Sequence, residues 1–144
     1  MFAPVLLTKE ECLSPPSCAY GMLLTEEIEL RRSYELFLRT AGLLLGLPRH
    51  VIAVATTYFH IVASRLSLTL IDRPSVLVQS ILFLAAKSEE EHRRLRDIIT
   101  VVYRMMHPDP NDWLHLGDGH AKLRDHIVTT EQLVLRLLGF NLNV

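Results

Sequence analysis

Apolar positions along the chain recur with a helical period rather than in strict alternation. From Glu29 onward Leu30, Tyr34, Phe37, Leu38, Ala41, Leu44 and Leu45 follow the i, i+4, i+7, i+8 spacing of one buried face. Gly46 suits a helix stop, and Pro48 suits the first turn of a second helix carrying Val51, Val54, Ala55, Tyr58 and Ile61 or Val62 on one side. Asp72 can cap a third helix, with Pro74 in its first turn. Between Val76 and Ala86 this helix is apolar almost all round, so other helices must surround it. Leu95, Ile98, Ile99, Val102 and Met105 or Met106 space a fourth helix. Its IITVV run is β-branched and strand-like, but the chain offers no strand partner, and helix is expected. A last helix presents Leu123, Ile127, Val134, Leu135 and Leu138 before Gly139.

The expectation is a single all-α domain of five helices with a central buried third helix. Residues 1–27, with Pro4, Pro15, Pro16 and Gly21 and no sustained period, read as a loosely ordered lead-in, and residues 28–144 as the domain. Residues 106–120 read as a loop by their Pro, Gly, Asn and Asp content, with Trp113 as a plug over the core.

The chain has 144 residues, 49% hydrophobic and 22% charged, with a formal net charge of -1. That balance disfavours a nucleic-acid or anionic-membrane binder, whose phosphate contacts need a lysine and arginine excess. No apolar run reaches the roughly 18 residues of a membrane span, and no basic region precedes MFAPVLL as in a secretory signal. A soluble intracellular protein is expected. Cys12 and Cys18 leave a disulfide between them open, with a reducing compartment the better expectation.

No nucleophile elbow, phosphate-binding glycine loop, H-E-x-x-H or C-x-x-C is present. His115 and His120 share a loop with Asp109, Asp112 and Asp118, but without the register of a calcium loop, and no metal or cofactor is expected. No catalytic residue is assigned, and the protein is not expected to be an enzyme. Two charges stand out. Lys87 ends the buried third helix, and Glu131 interrupts the apolar stripe of the last helix, four residues from both Ile127 and Leu135. A carboxylate there needs a partner or a shifted protonation equilibrium. Either the two pair with each other or reach water, or they edge an apolar surface that a partner completes.

LAAKSEEEHRRLRDIITV resembles the most recognisable segment of the cyclin box, a buried helix ending in alanine-lysine followed by glutamates. TTEQLVLRLLGFNLNV is similar to the fifth-helix signature of that family, and AGLLLGLPRHVIAVATTYFH to the first-to-second helix junction of its transcription-type members. EEEHRRLRDIITV and KLRDHIVTTEQLVLRLLGF are most similar to the cyclin Q (cyclin M) type, with the L and K types nearby. The resemblance covers roughly residues 29–144 and implies the five-helix cyclin box.

It also implies a non-catalytic, nuclear regulator, with the cytoplasm as a second location, that binds and activates a cyclin-dependent kinase. For the Q type that kinase is cyclin-dependent kinase ten. Carried over by residue, Lys87 and Glu131 match the pair that hydrogen-bonds the kinase backbone, and Leu84, Leu135, Phe140 and Leu142 match the apolar groove. Glu131 would then find its donors only in the complex. Ser88 stands where the family is often bulky, so one apolar contact is absent. ELRRSYELFLRTAG lacks the methionine-arginine-alanine-isoleucine-leucine patch that recruits substrates, and no such docking site is expected. Only the first of the usual two boxes is expected. The alternative is a general-transcription scaffold of the same fold that binds DNA or polymerase.

Overall fold

In the computed structural model, residues 15–111 and 118–143 are described. They form a one-turn helix α1 (Pro16–Ala19) and five long helices: α2 (Leu24–Leu44), α3 (Arg49–Arg65), α4 (Pro74–Ser88), α5 (Leu95–Met106) and α6 (Asp118–Leu137). A short 3-10 turn, Leu68–Leu70, lies between α3 and α4. No strand occurs among the described residues, and the β-branched IITVV run lies within α5. There Leu95, Ile98, Ile99 and Val102 are buried, because helical spacing gives them one face to turn inward.

α4 is the centre of the fold, packing against α2, α3, α5 and α6. Val78, Ile81, Leu82, Ala85 and Ala86 are fully enclosed. Even its polar Ser80 is sealed in. The hydroxyl lies 2.8 Å from the Val76 carbonyl and 3.0 Å from that of Ile127, satisfying the buried donor and tying α4 to α6. Tyr34 of α2 stacks on Phe59 of α3, ring centroids 5.1 Å apart.

Three expectations change. The first concerns α2, which starts at Leu24 rather than Glu29 because polar residues set its beginning. The Glu26 carboxylate accepts the Leu23 amide at 3.2 Å, and Glu27, 2% exposed, pairs with Arg31 one turn on. The adjoining lead-in is packed as well, for the Leu68 amide donates to the buried Ser17 hydroxyl at 2.9 Å. Residues 1–14, Cys12 among them, lie outside the described residues. Secondly, Arg73 rather than Asp72 occupies the N-cap of α4, without a side-chain cap, and Pro74 takes the first turn. Thirdly, Leu44 is exposed, since Ala41 and Gly42 take the inward side of the last turn of α2 and leave it on the outer side. Trp113, His115 and Asp112 lie outside the described residues.

The corner after α2 shows why it stops. Gly46 takes φ +70, where any Cβ would be strained, and the Gly46 and Leu47 amides return to the Leu43 and Gly42 carbonyls, each at 3.0 Å. Arg93, from the charged run after α4, donates to the Leu45 and Gly46 carbonyls, both at 3.1 Å. Part of that run therefore works as a cap on another helix.

On α2, Leu30, Ser33, Tyr34 and Phe37 line an apolar cleft of about 650 Å³ closed by Pro74, Val78 and Met106. Burial pushes the Tyr34 phenol at its edge up to about 12 from an ordinary 10. The folded state thus retains that proton when the unfolded chain has lost it, and stability must fall as pH rises from about 10 towards 12. Thermal melts across that range should show a decline that Tyr34→Phe flattens.

Candidate functional site

The site is built where α4 and α6 end side by side. Lys87 leaves the last turn of α4, and Glu131 comes from the C-terminal half of α6. Their side chains form an ion pair across 44 positions of sequence, the Lys87 Nζ donating to Glu131 Oε1. Burial is unequal: the Glu131 side chain is 8% exposed and that of Lys87 42%. The lysine thus acts as a lid, covering the carboxylate on one side and meeting water on the other. Phe83, one turn earlier on α4, places its ring centroid 4.3 Å from the ammonium, a cation–π contact that holds the lysine stem in place. The sequence left open whether Glu131 waits for a partner's donors. Lys87 supplies one from within the chain.

The backbone around this pair is unusual at two points. After α4, Glu90 takes φ +59, while its amide and that of Glu91 return to the Lys87 and Ala86 carbonyls at 3.3 and 2.9 Å. After α6, Gly139 and Phe140 take φ +62 and +58 in succession, turning the chain back along the helix end. Non-glycine residues in the left-handed region carry strain that surrounding contacts must hold. One follows the helix that carries Lys87 and the other the helix that carries Glu131.

The turn at Phe140 leaves its ring 67% exposed and brings Leu142 back, half-buried, onto the core. Leu135 is likewise half-buried, its side chain against the same core. Leu84 differs from its sequence reading: at 4% exposed it belongs to the core, because the α4 face it occupies is roofed by neighbouring helices. The structure thus pairs Lys87 with Glu131, carries Leu135 on the same helix as Glu131 and Phe140 and Leu142 on the turn that follows it, and leaves Leu84 in the core.

Periodicity missed one participant, Tyr58 of α3, by treating it as core alone. Its ring is fully buried, and its hydroxyl donates to the Leu142 carbonyl at 3.0 Å and lies 3.1 Å from the Ser88 hydroxyl. Burial raises its phenol pKa, with the Ser88 contact opposing, so it is a donor throughout the physiological range. The available signal was chemical, since a tyrosine on a buried stripe must find a partner for its hydroxyl. Among the described residues no group of three His, Cys, Asp or Glu side chains is placed to hold a metal ion. No described helix is long and apolar enough to cross a membrane.

The described residues thus form an all-α domain of five long helices and one short one, with a buried central helix and a lysine–glutamate pair joining α4 to α6. The family model "Cyclin, N-terminal domain" matches residues 4–143, and the chain belongs to the cyclin family. It is 34% identical over 132 residues to Cyclin-T1-5 of Arabidopsis thaliana, covering 90% of this chain and 23% of that relative. It is 32% identical over 157 positions to Cyclin-L1 of Gallus gallus, covering 100% and 29%. Cyclin-T1 of Equus caballus is 28% identical over 137 residues, covering 95% and 19%. The relatives it matches are cyclins of the T and L types. It spans about a quarter of the length of such relatives.

Proposed function

We propose that this chain is a non-catalytic regulatory subunit that binds and activates a cyclin-dependent kinase through the seam at the ends of α4 and α6. One observation carries the reading: a nearly buried glutamate and a half-exposed lysine, remote in sequence, are paired, and the helix that carries the glutamate ends in an exposed aromatic. Lys87 retains further N–H donors for a partner's backbone carbonyls, and Glu131 fixes where they point. Phe140 offers the large apolar contact typical of an interface anchor.

A partner held there would have its mobile regulatory helix pressed inward, so that the kinase's own lysine–glutamate ion pair could close. The Q-type resemblance of EEEHRRLRDIITV and KLRDHIVTTEQLVLRLLGF supports cyclin-dependent kinase ten as that partner, with a nuclear location. A single box over residues 28–144 is the unit proposed to make these contacts. The near-neutral charge gives a DNA-binding scaffold no support.

The test is capture of the purified kinase by immobilised wild-type chain and by the Lys87→Ala/Glu131→Ala double variant. Removing both charges together avoids stranding either, so helicity by circular dichroism should be unchanged while capture falls by at least tenfold. Undiminished capture of every cyclin-dependent kinase tried would sink the reading.

A further inference from the structure

We infer that a groove between α2 and α3 is a docking surface for an acidic amphipathic helix of a partner protein, one that sets leucine-like side chains beside aspartates or glutamates. The groove shares no residue with those assigned to the kinase, and the inference does not depend on that assignment.

The surface begins with spacing on α2. Arg32, Leu36, Arg39 and Leu43 stand at i, i+4, i+7 and i+11, so they share one side of the helix. Leu30, Ser33, Tyr34 and Phe37, which line the cleft with Val78 and Met106, occupy another side. All four members of the stripe are exposed, Leu36 by 66% and Leu43 by 60%. A single leucine in water needs no explanation, but two leucines one heptad apart give the repeat along which a second helix can lie.

Arg39 and Leu43 also form one wall of a groove of about 600 Å³, and Arg49, Ile52, Ala53 and Thr56 of α3 form the other. Ile52 is buried and serves as the floor. It can lie so close to α2 because Gly42 has no side chain, and a Cβ there would meet it at 2.9 Å. The groove is therefore apolar at its base, with an exposed guanidinium on each wall.

Charge selects the occupant. Between Leu30 and Arg65 the chain has five arginines against one acid, Glu35, a net of +4 in a chain whose total is -1. Glu35, one turn before Arg39, is engaged by His60 of α3, and the first turn of α3 has no acidic residue. Among the described residues Arg32, Arg39 and Arg49 enter no ion pair. Leucines set among such arginines repel a basic partner and complement one with carboxylates beside its apolar side chains. An acidic helix meets both demands, its leucines on Leu36, Leu43 and the groove, its carboxylates on the arginines. Nucleic-acid phosphates would match the arginines and offer the leucines nothing.

The probes are two synthetic helical peptides, one with leucines at i, i+3, i+4 and i+7 and glutamates beside them, the other with lysines in place of the glutamates. By fluorescence anisotropy the full chain should bind the first about tenfold tighter than the second, and less tightly as salt rises from about 0.05 to about 0.3 M. Arg39→Glu/Arg49→Glu changes two exposed side chains and should not lower the melting temperature, yet should weaken the glutamate peptide by about tenfold. Leu43→Gln should weaken it by about threefold. Both variants should capture the kinase as wild type does, while Lys87→Ala/Glu131→Ala should lose the kinase and keep the peptide.

No binding of the glutamate peptide at about 1 mM, or an affinity indifferent to Arg39→Glu/Arg49→Glu, would overturn the inference. A short single-stranded DNA that binds as tightly, with Leu43→Gln without effect, would also overturn it by showing a surface for any anion. Self-association of wild type on sedimentation that Arg39→Glu/Arg49→Glu abolishes would give the groove to a second copy instead. Loss of kinase capture in Arg39→Glu/Arg49→Glu would make the groove part of the kinase surface. Normal kinase capture by Lys87→Ala/Glu131→Ala, by contrast, would sink only the kinase reading and leave the peptide result to stand on its own.

Discussion

Lys87→Ala alone should destabilise the fold by about 1–3 kcal/mol, more than Glu131→Gln at the other end of the same contact. The asymmetry follows from burial. Deleting the lysine leaves a carboxylate in a side chain that is only 8% exposed, without the ammonium that covers it. Changing the glutamate to glutamine keeps an acceptor for Nζ, and the 42%-exposed lysine can complete its solvation with water. Loss of the Phe83 cation–π contact adds to the cost of the lysine variant. Urea melts of the two single variants would check the order, and equal destabilisation would show that the pair is far more hydrated than its burial implies. The order also bears on the docking experiment. A single Lys87→Ala variant confounds binding with stability, whereas the double variant removes the stranded charge.

Leu82→Ala should cost more, about 2–5 kcal/mol, a large share of the 5–15 kcal/mol that holds a typical domain together. Leu82 is fully buried on the helix that touches all four other long helices. It also lies close to the α2–α3 crossing, where a Cβ built on Gly42 would meet it at 3.7 Å and Ile52 at 2.9 Å. Side chains so closely packed, and drawn from several rigid helices, cannot collapse into a void without moving a backbone, so the cavity should persist. The variant should melt well below wild type by calorimetry. A loss under about 1 kcal/mol would mean that neighbouring helices can shift to fill the space.

The sequence made most of this architecture legible, for a reason visible in α4. A helix enclosed on every side must be apolar on every side, and Val76 to Ala86 say so without any structure. α5 could be read in the same way, because four inward positions at helical spacing outweigh the β-branched character of IITVV. The start of α2 could not. Its first turn is held by Glu26 and the buried Glu27, which hydrophobic periodicity treats as surface. The burial of Leu84 could not be read either, because it shares its side of the helix with the exposed Lys87 three residues on and burial depends on what roofs that side.

What the sequence alone determined is the number of long helices, the central place of α4, and the choice of Lys87 and Glu131 as the charges in need of explanation. Those features are local, written in spacing and in polar residues set among apolar ones. Tertiary structure decided the rest. It showed that the two charges meet each other, with the glutamate sunk and the lysine as its cover, and that Arg93 caps a helix 48 positions away. It also gave the buried phenol of Tyr58 a carbonyl at the far end of the chain. Hydrogen bonds and ion pairs reach only a few ångströms, so whether two polar groups satisfy one another is settled by how the helices cross rather than by any pattern along them.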